Sequence, residues 1–120
     1  MLILTPQLSE EEINGYNAPF PDIKYKAGVR RFPNIVPEKP NDPGAEISRN
    51  SRRFLEEKWK GDVFMAVGKN DPVLGIPMMN LIKNSIKTSP DPLIIEDGGH
   101  FLQEWGEIVA KKALEAFHLN

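Results

Sequence analysis

Apolar residues fall along this chain in two rhythms. From Val63 to Val67 five apolar positions run without a break, Val-Phe-Met-Ala-Val, and a shorter run, Leu93-Ile94-Ile95, comes later. Short unbroken apolar runs bounded by turn residues are how buried parallel strands read, because both of their faces are covered. The first run predicts a strand over Val63–Val67 and the second a strand over Leu93–Glu96. Around them the spacing is helical. Ile47, Phe54, Leu55 and Trp59 fall near one face of a helix over Gly44–Lys60. Met78, Met79, Ile82 and Ile86 line the inward face of one over Ile76–Lys87, and Ser89-Pro90-Asp91-Pro92 breaks it. Trp105, Ile108, Val109, Ala113 and Phe117 do the same for a helix over Glu104–His118. Helix, strand, helix, strand, helix predicts an α/β arrangement with a short parallel sheet.

The stretch before Gly44 has another texture. Leu4–Ser9 reads as a linker-like lead. Ser9-Glu10-Glu11-Glu12 is a capping box, a Ser that can cap with a Glu three residues on, and it starts a short helix limited by Gly15 and Pro19. Pro19 and Pro21 exclude helix from Asn17-Ala18-Pro19-Phe20-Pro21-Asp22. Asp22 is placed to cap a helix over Ile23–Phe32, stopped by Pro33. Pro37, Pro40 and Pro43 make the next segment a loop. With 9 Gly and 11 Pro in 120 residues, most of the Pro at or before Pro43, the chain exceeds the usual combined share of about 12% in its first third.

Composition narrows the function classes. A chain of 120 residues makes one small domain with a modest core. Its net charge of −2 and pI of about 5.7 supply no field that would draw it to nucleic acid or lipid. Arg30-Arg31 and Arg52-Arg53 are isolated pairs that read as solvated helix faces, so no nucleic-acid partner is expected. Without cysteine there is no disulfide, thiolate nucleophile or thiolate metal site; this fits a reducing compartment, and a cytoplasmic location is the expectation. No apolar run approaches the roughly 20 residues of a membrane span, and Met1-Leu2-Ile3-Leu4 is too short for a signal peptide. Two His and no Cys form no transition-metal constellation, and no cofactor is implied.

The candidate chemistry stands where the two strands end. Asp71 lies in Gly68-Lys69-Asn70-Asp71-Pro72-Val73-Leu74-Gly75, after the first strand, and His100 in Asp97-Gly98-Gly99-His100-Phe101, after the second. Open α/β sheets keep their reactive groups at carboxyl strand ends. An Asp there can hold one ring nitrogen of a His, fix its tautomer and stabilise the imidazolium, leaving the His as general base. Taken singly, Asp71 also reads as a turn residue before Pro72 and His100 as a loop histidine; together at successive strand ends they read as the acid and base of a hydrolase triad. The nucleophile is not legible: no G-x-S-x-G elbow occurs, nor its Asp or Cys variant. Gly68-Lys69 does not form a phosphate loop, since no Gly stands five residues before Gly68 and Asn70 replaces the Ser or Thr that would hold magnesium. His118 reads as a frayed surface residue.

Four stretches carry a resemblance: Asn17–Asp22 (NAPFPD), Lys24–Pro33 (KYKAGVRRFP), Phe64–Asp71 and Gly99–Glu104 (GHFLQE). In these the chain resembles the haloalkane dehalogenases, of the α/β-hydrolase fold, over the second half of that family's domain. The resemblance implies residues 1–43 as the end of a helical cap with its return loop, and 44–120 as the C-terminal part of the hydrolase core. It implies hydrolysis of a carbon–halogen bond through a covalent ester on an Asp nucleophile, with a His activating water to cleave that ester. His100 matches the base and Asp71 the acid; Phe32, Pro33, Val36 and Val73 match residues lining the substrate pocket, although the same four also read as simple packing. The family's nucleophile elbow, oxyanion-hole loop and halide-holding tryptophans have no counterpart in these residues, and Trp59 and Trp105 read as helix packing.

Two classes of function follow. In one, the chain is the acid–base portion of a dehalogenase-like hydrolase, acting on a small apolar halogenated or ester substrate once a nucleophile-bearing half completes it, and inactive alone. In the other it is a non-catalytic α/β-hydrolase remnant that binds a partner or itself. Either way, the Val63–Val67 strand would in the family's fold pair on its other side with a strand these residues lack, and that open apolar edge predicts a homo-oligomer or a complementing chain.

Overall fold

The computed structural model describes residues 6–119; the apolar start Met1-Leu2-Ile3-Leu4 and the beginning of the expected lead lie outside the described residues. Tertiary contacts gather into two units, Gln7–Arg53 and the segment from Phe54 on, with the division falling inside one helix.

In the first unit the capping box forms. Ser9 Oγ accepts the Glu12 amide at 3.3 Å and Glu12 Oε2 accepts the Ser9 amide at 2.7 Å. Helix α1 (Glu10–Asn17) follows, its three N-terminal Glu matched to the positive end of the helix dipole. Asp22 then accepts the Lys24 amide at 2.7 Å, as a capping Asp should. What it starts is not the single helix expected over Ile23–Phe32. A 3₁₀ turn (Ile23–Lys26) leads into α2 (Ala27–Arg31), and a second 3₁₀ turn covers Phe32–Ile35. Pro33 does not stop the coil: in the first turn of a helical segment its missing N–H has no partner to lose. Asp42 Oδ2 organises the proline loop by accepting the Glu38 and Lys39 amides at 3.0 and 2.9 Å. Gly44, at φ +88°, turns the chain through the left-handed region and into α3 (Ala45–Glu57).

The second unit is built on two parallel strands, β1 (Ala66–Gly68) and β2 (Leu93–Ile95), paired Ala66 to Leu93, Val67 to Ile94 and Gly68 to Ile95. The Leu93 amide adds a bond to the Met65 carbonyl at 2.9 Å. β2 coincides with its apolar run and stops short of Glu96, whereas β1 takes up only the end of its run, from Ala66, and goes one residue past it to Gly68. The turn from Ile95 to Gly98 ends the ladder forwards, the Gly98 amide bonding the Ile95 carbonyl at 3.0 Å. Helix α4 (Ile76–Ser85) connects the strands, and after β2 a 3₁₀ turn (Leu102–Trp105) leads into α5 (Gly106–Ala116). The architecture is therefore α/β, helix–strand–helix–strand–helix from α3 onward, with a two-stranded parallel sheet.

The core is thin. Met65, Val67, Ile86 and Ile95 are buried in this unit and Ala45 in the other, and no described side chain is fully buried. Met78 and Ile82, expected to face inward, are exposed, as are Ile47 and Phe54 on α3 and Ile108 on α5. Periodicity specifies which helix face is apolar; two three-residue strands present too little surface to cover it. Trp59 packs edge-on to Phe54 at 6.2 Å, and Phe117 to Phe64 at 6.5 Å. Among the described residues no helix is long and apolar enough to cross a membrane.

Candidate active site

The site is made where the two post-strand turns cross. Gly68 and Gly98 lie back to back: a Cβ on Gly68 would meet the Gly98 carbonyl carbon at 2.6 Å, and one on Gly98 would meet the Gly68 Cα at 2.9 Å. Those glycines are required by close approach of two backbones. The approach lets the Lys69 amide reach the Ile95 carbonyl at 3.0 Å and the Asn70 amide the Gly98 carbonyl at 2.9 Å. The Asn70 side chain also donates to the Glu96 carbonyl at 3.1 Å, and Lys69 pairs with Glu96 at the surface.

On this crossing stand the two candidate groups, with Asp71 Oδ1 and His100 Nδ1 3.0 Å apart. The same oxygen accepts the amides of Val73 at 2.8 Å and Leu74 at 3.0 Å. The Asp71 side chain is 8% exposed and His100 28%. Burial pushes the Asp71 carboxyl up, but the two amides and the His100 ring together outweigh it and hold Asp71 below the usual carboxylate range. An ionised Asp71 can only accept, so the contact requires a proton on Nδ1 of the neutral ring and leaves the lone pair on Nε2. A buried acceptor at Nδ1, a half-open ring and a basic Nε2 can take a proton from water or a hydroxyl. The ring packs edge-on against Phe101 at 5.2 Å.

The other four candidates are distributed differently. Val73 is next to the acid, with its amide in the Asp71 turn and its side chain 61% exposed. Phe32, Pro33 and Val36 lie in the first unit, on the Phe32–Ile35 turn and just after it, all exposed, Phe32 by 68%. Sequence reasoning missed the amides of Val73 and Leu74 and the two bonds of Asn70. The amides had a signal, an Asp-Pro step followed by residues with free N–H groups, the pattern of an Asx-type turn; Asn70 had none. Among the described residues no three His, Asp or Glu side chains are grouped to hold a metal ion.

No protein-family model matches the chain. It is 41% identical over 117 residues, 95% of its length, to a haloalkane dehalogenase of Psychrobacter cryohalolentis K5, of which it covers 38%. It is 38% identical over 90 residues to one from Mycolicibacterium paratuberculosis, covering 75% of this chain and 30% of that one. Among solved structures it matches the tetrameric haloalkane dehalogenase DpaA of Paraglaciecola agarilytica NO2 with a TM-score of 0.85 and 40% identity, over 90% of this chain and 36% of that one. The chain thus spans just over a third of the length of the relatives it matches most fully. In sequence and in fold the chain is similar to the C-terminal portion of the haloalkane dehalogenases, which have the α/β-hydrolase fold.

Proposed function

We propose that this chain supplies the acid–base portion of a haloalkane dehalogenase-like hydrolase, with His100 as general base and Asp71 as the acid that orients it. The observation that carries the reading is the 3.0 Å contact between Asp71 Oδ1 and His100 Nδ1 at the ends of successive parallel strands. In the reaction the resemblance implies, an Asp nucleophile displaces halide from a haloalkane carbon and becomes an alkyl ester. His100 Nε2 then takes a proton from water as that water attacks the ester carbonyl. Asp71 stabilises the imidazolium, and alcohol leaves as the nucleophile carboxylate is restored. These 120 residues contain no nucleophile elbow, so the ester must form on another segment, and the chain alone is inactive.

In this reading residues 1–43 are the end of a helical cap and 44–120 the C-terminal part of the core. Phe32, Pro33 and Val36, and separately Val73 beside the acid, are the residues that the resemblance matches to the family's pocket for a small apolar halogenated or ester substrate. The complement is an N-terminal half, in the same polypeptide or another. Self-association through the sheet is the alternative cover, and the tetrameric state of DpaA is consistent with a fold that assembles. A second reading, a non-catalytic module that binds a partner or itself, is favoured by one observation: Met78, Leu81, Ile82 and Ile94 are all exposed apolar residues on the α/β unit.

Halide release from a short 1-haloalkane separates the two. The purified chain is expected to release none above buffer. Mixed with the nucleophile-bearing half of the Psychrobacter relative, it is expected to release halide in proportion to this chain. Turnover by the chain alone contradicts the missing nucleophile; no turnover from an assembled mixture favours the binding module.

A further inference from the structure

Asn70, the residue before Asp71, is bonded twice to the turn that leads to His100. Its backbone amide donates to the Gly98 carbonyl at 2.9 Å and its side-chain amide to the Glu96 carbonyl at 3.1 Å. Both acceptors belong to the single turn that carries the chain from β2 to His100, whose closing bond runs from the Gly98 amide to the Ile95 carbonyl. One residue therefore grips that turn at two points. The next residue along is Asp71, so the clamp and the acid move as one piece. The β1–β2 ladder is too short to hold this geometry by itself, with three paired positions.

We propose that Asn70 is a positioning residue: by clamping the Glu96–Gly98 turn it sets where the His100 ring stands against Asp71. The inference rests on reading Asp71 and His100 as an acid–base pair. The side-chain arm of the clamp is separable from the backbone arm. Asn70→Ala removes the donor to Glu96 and keeps the Gly98 bond. Asn70→Asp keeps the shape but turns an acceptor toward the Glu96 carbonyl, opening the clamp more strongly. Asn70→Gln keeps the amide donor on a longer arm. Each acts on an exposed side chain, so the fold is expected to survive, as backbone amide dispersion will report.

The readout is the His100 ring itself, observed by ¹⁵N-histidine NMR on the full chain across a pH series. The wild-type chain is expected to show the Nδ1–H tautomer that Asp71 demands, and Asp71→Asn to lose it. Asn70→Ala is expected to shift His100 partway toward Nε2–H, Asn70→Asp further, and Asn70→Gln to restore it in part. A merely structural side chain would leave the tautomer alone. If Asp71→Asn changes the ring while Asn70→Ala and Asn70→Asp do not, the clamp is overturned and the acid–base reading stands. If the wild-type ring shows no dependence on Asp71, both fall.

Discussion

Ile94 sits mid-strand in β2, opposite Val67, and is 43% exposed. Parallel strands normally have both faces covered, so the open flank of Ile94 marks a face of the sheet that a partner should cover. Full burial of an Ile side chain is worth about 1.5–3 kcal/mol; the part still open is worth about 0.6–1.3 kcal/mol. In a two-fold pairing the residue counts once in each copy. Replacing it by Lys therefore forfeits about 1.2–2.6 kcal/mol, roughly a 7- to 70-fold weaker association at about 1.4 kcal/mol per decade. Enclosing an ammonium adds to that loss wherever the Lys cannot reach water. Sedimentation velocity at low micromolar concentration is the assay. The purified wild-type chain is expected to sediment above monomer, or as a monomer that binds a hydrophobic dye, and Ile94→Lys to shift it toward monomer or weaken the dye signal. A compact wild-type monomer with a cooperative melt and no dye binding would refute the reasoning, because it would show that the chain closes its own core.

Three further outcomes are expected. Asp71 has its folded pKa depressed, so its contribution to stability is present above the ordinary carboxylate range, near pH 3.9, and fades as pH falls through the folded value; urea midpoints of wild type and Asp71→Asn should differ at neutral pH and converge in acid, and a gap that widens in acid would reverse the sign. Gly98→Ala would put a Cβ 2.9 Å from both the Gly68 Cα and the Ile95 Cβ, so a loss of about 1–3 kcal/mol is expected from the urea midpoint. Gly15→Ala, inside α1 with nothing within 4 Å of the new Cβ, should instead stabilise that helix by up to about 1 kcal/mol, read as a gain in helical circular dichroism.

What the residues disclosed followed from local physics. The Ser9–Glu12 capping box and the Asp22 cap are short-range bonds between neighbours in sequence, and each formed as its residue types predict. The two strands were legible as apolar runs; β2 coincides with its run, while the start of β1 at Ala66 was not legible, because it is set by where its three-residue partner lies. Helix faces were legible as patterns, but the exposure of Met78 and Ile82 depends on how much sheet is available to cover them. At the site, the positions of Asp71 and His100 after successive strands could be read from the chain. The 3.0 Å contact rests on Gly68 meeting Gly98, a tertiary approach that no local pattern encodes, and on the Val73 and Leu74 amides, whose Asx-type turn pattern the chain did carry.

The proposed division of labour, ester formation elsewhere and ester hydrolysis by His100, is tested most directly by trapping the intermediate. This chain, carrying His100→Gln, is assembled with the nucleophile-bearing half of the Psychrobacter relative and given a short 1-haloalkane, and that half is weighed by mass spectrometry. One equivalent of halide released, with the nucleophile half heavier by one alkyl group and no further turnover, is the expected result. Sustained turnover with no adduct would contradict it, since the base would then not be His100.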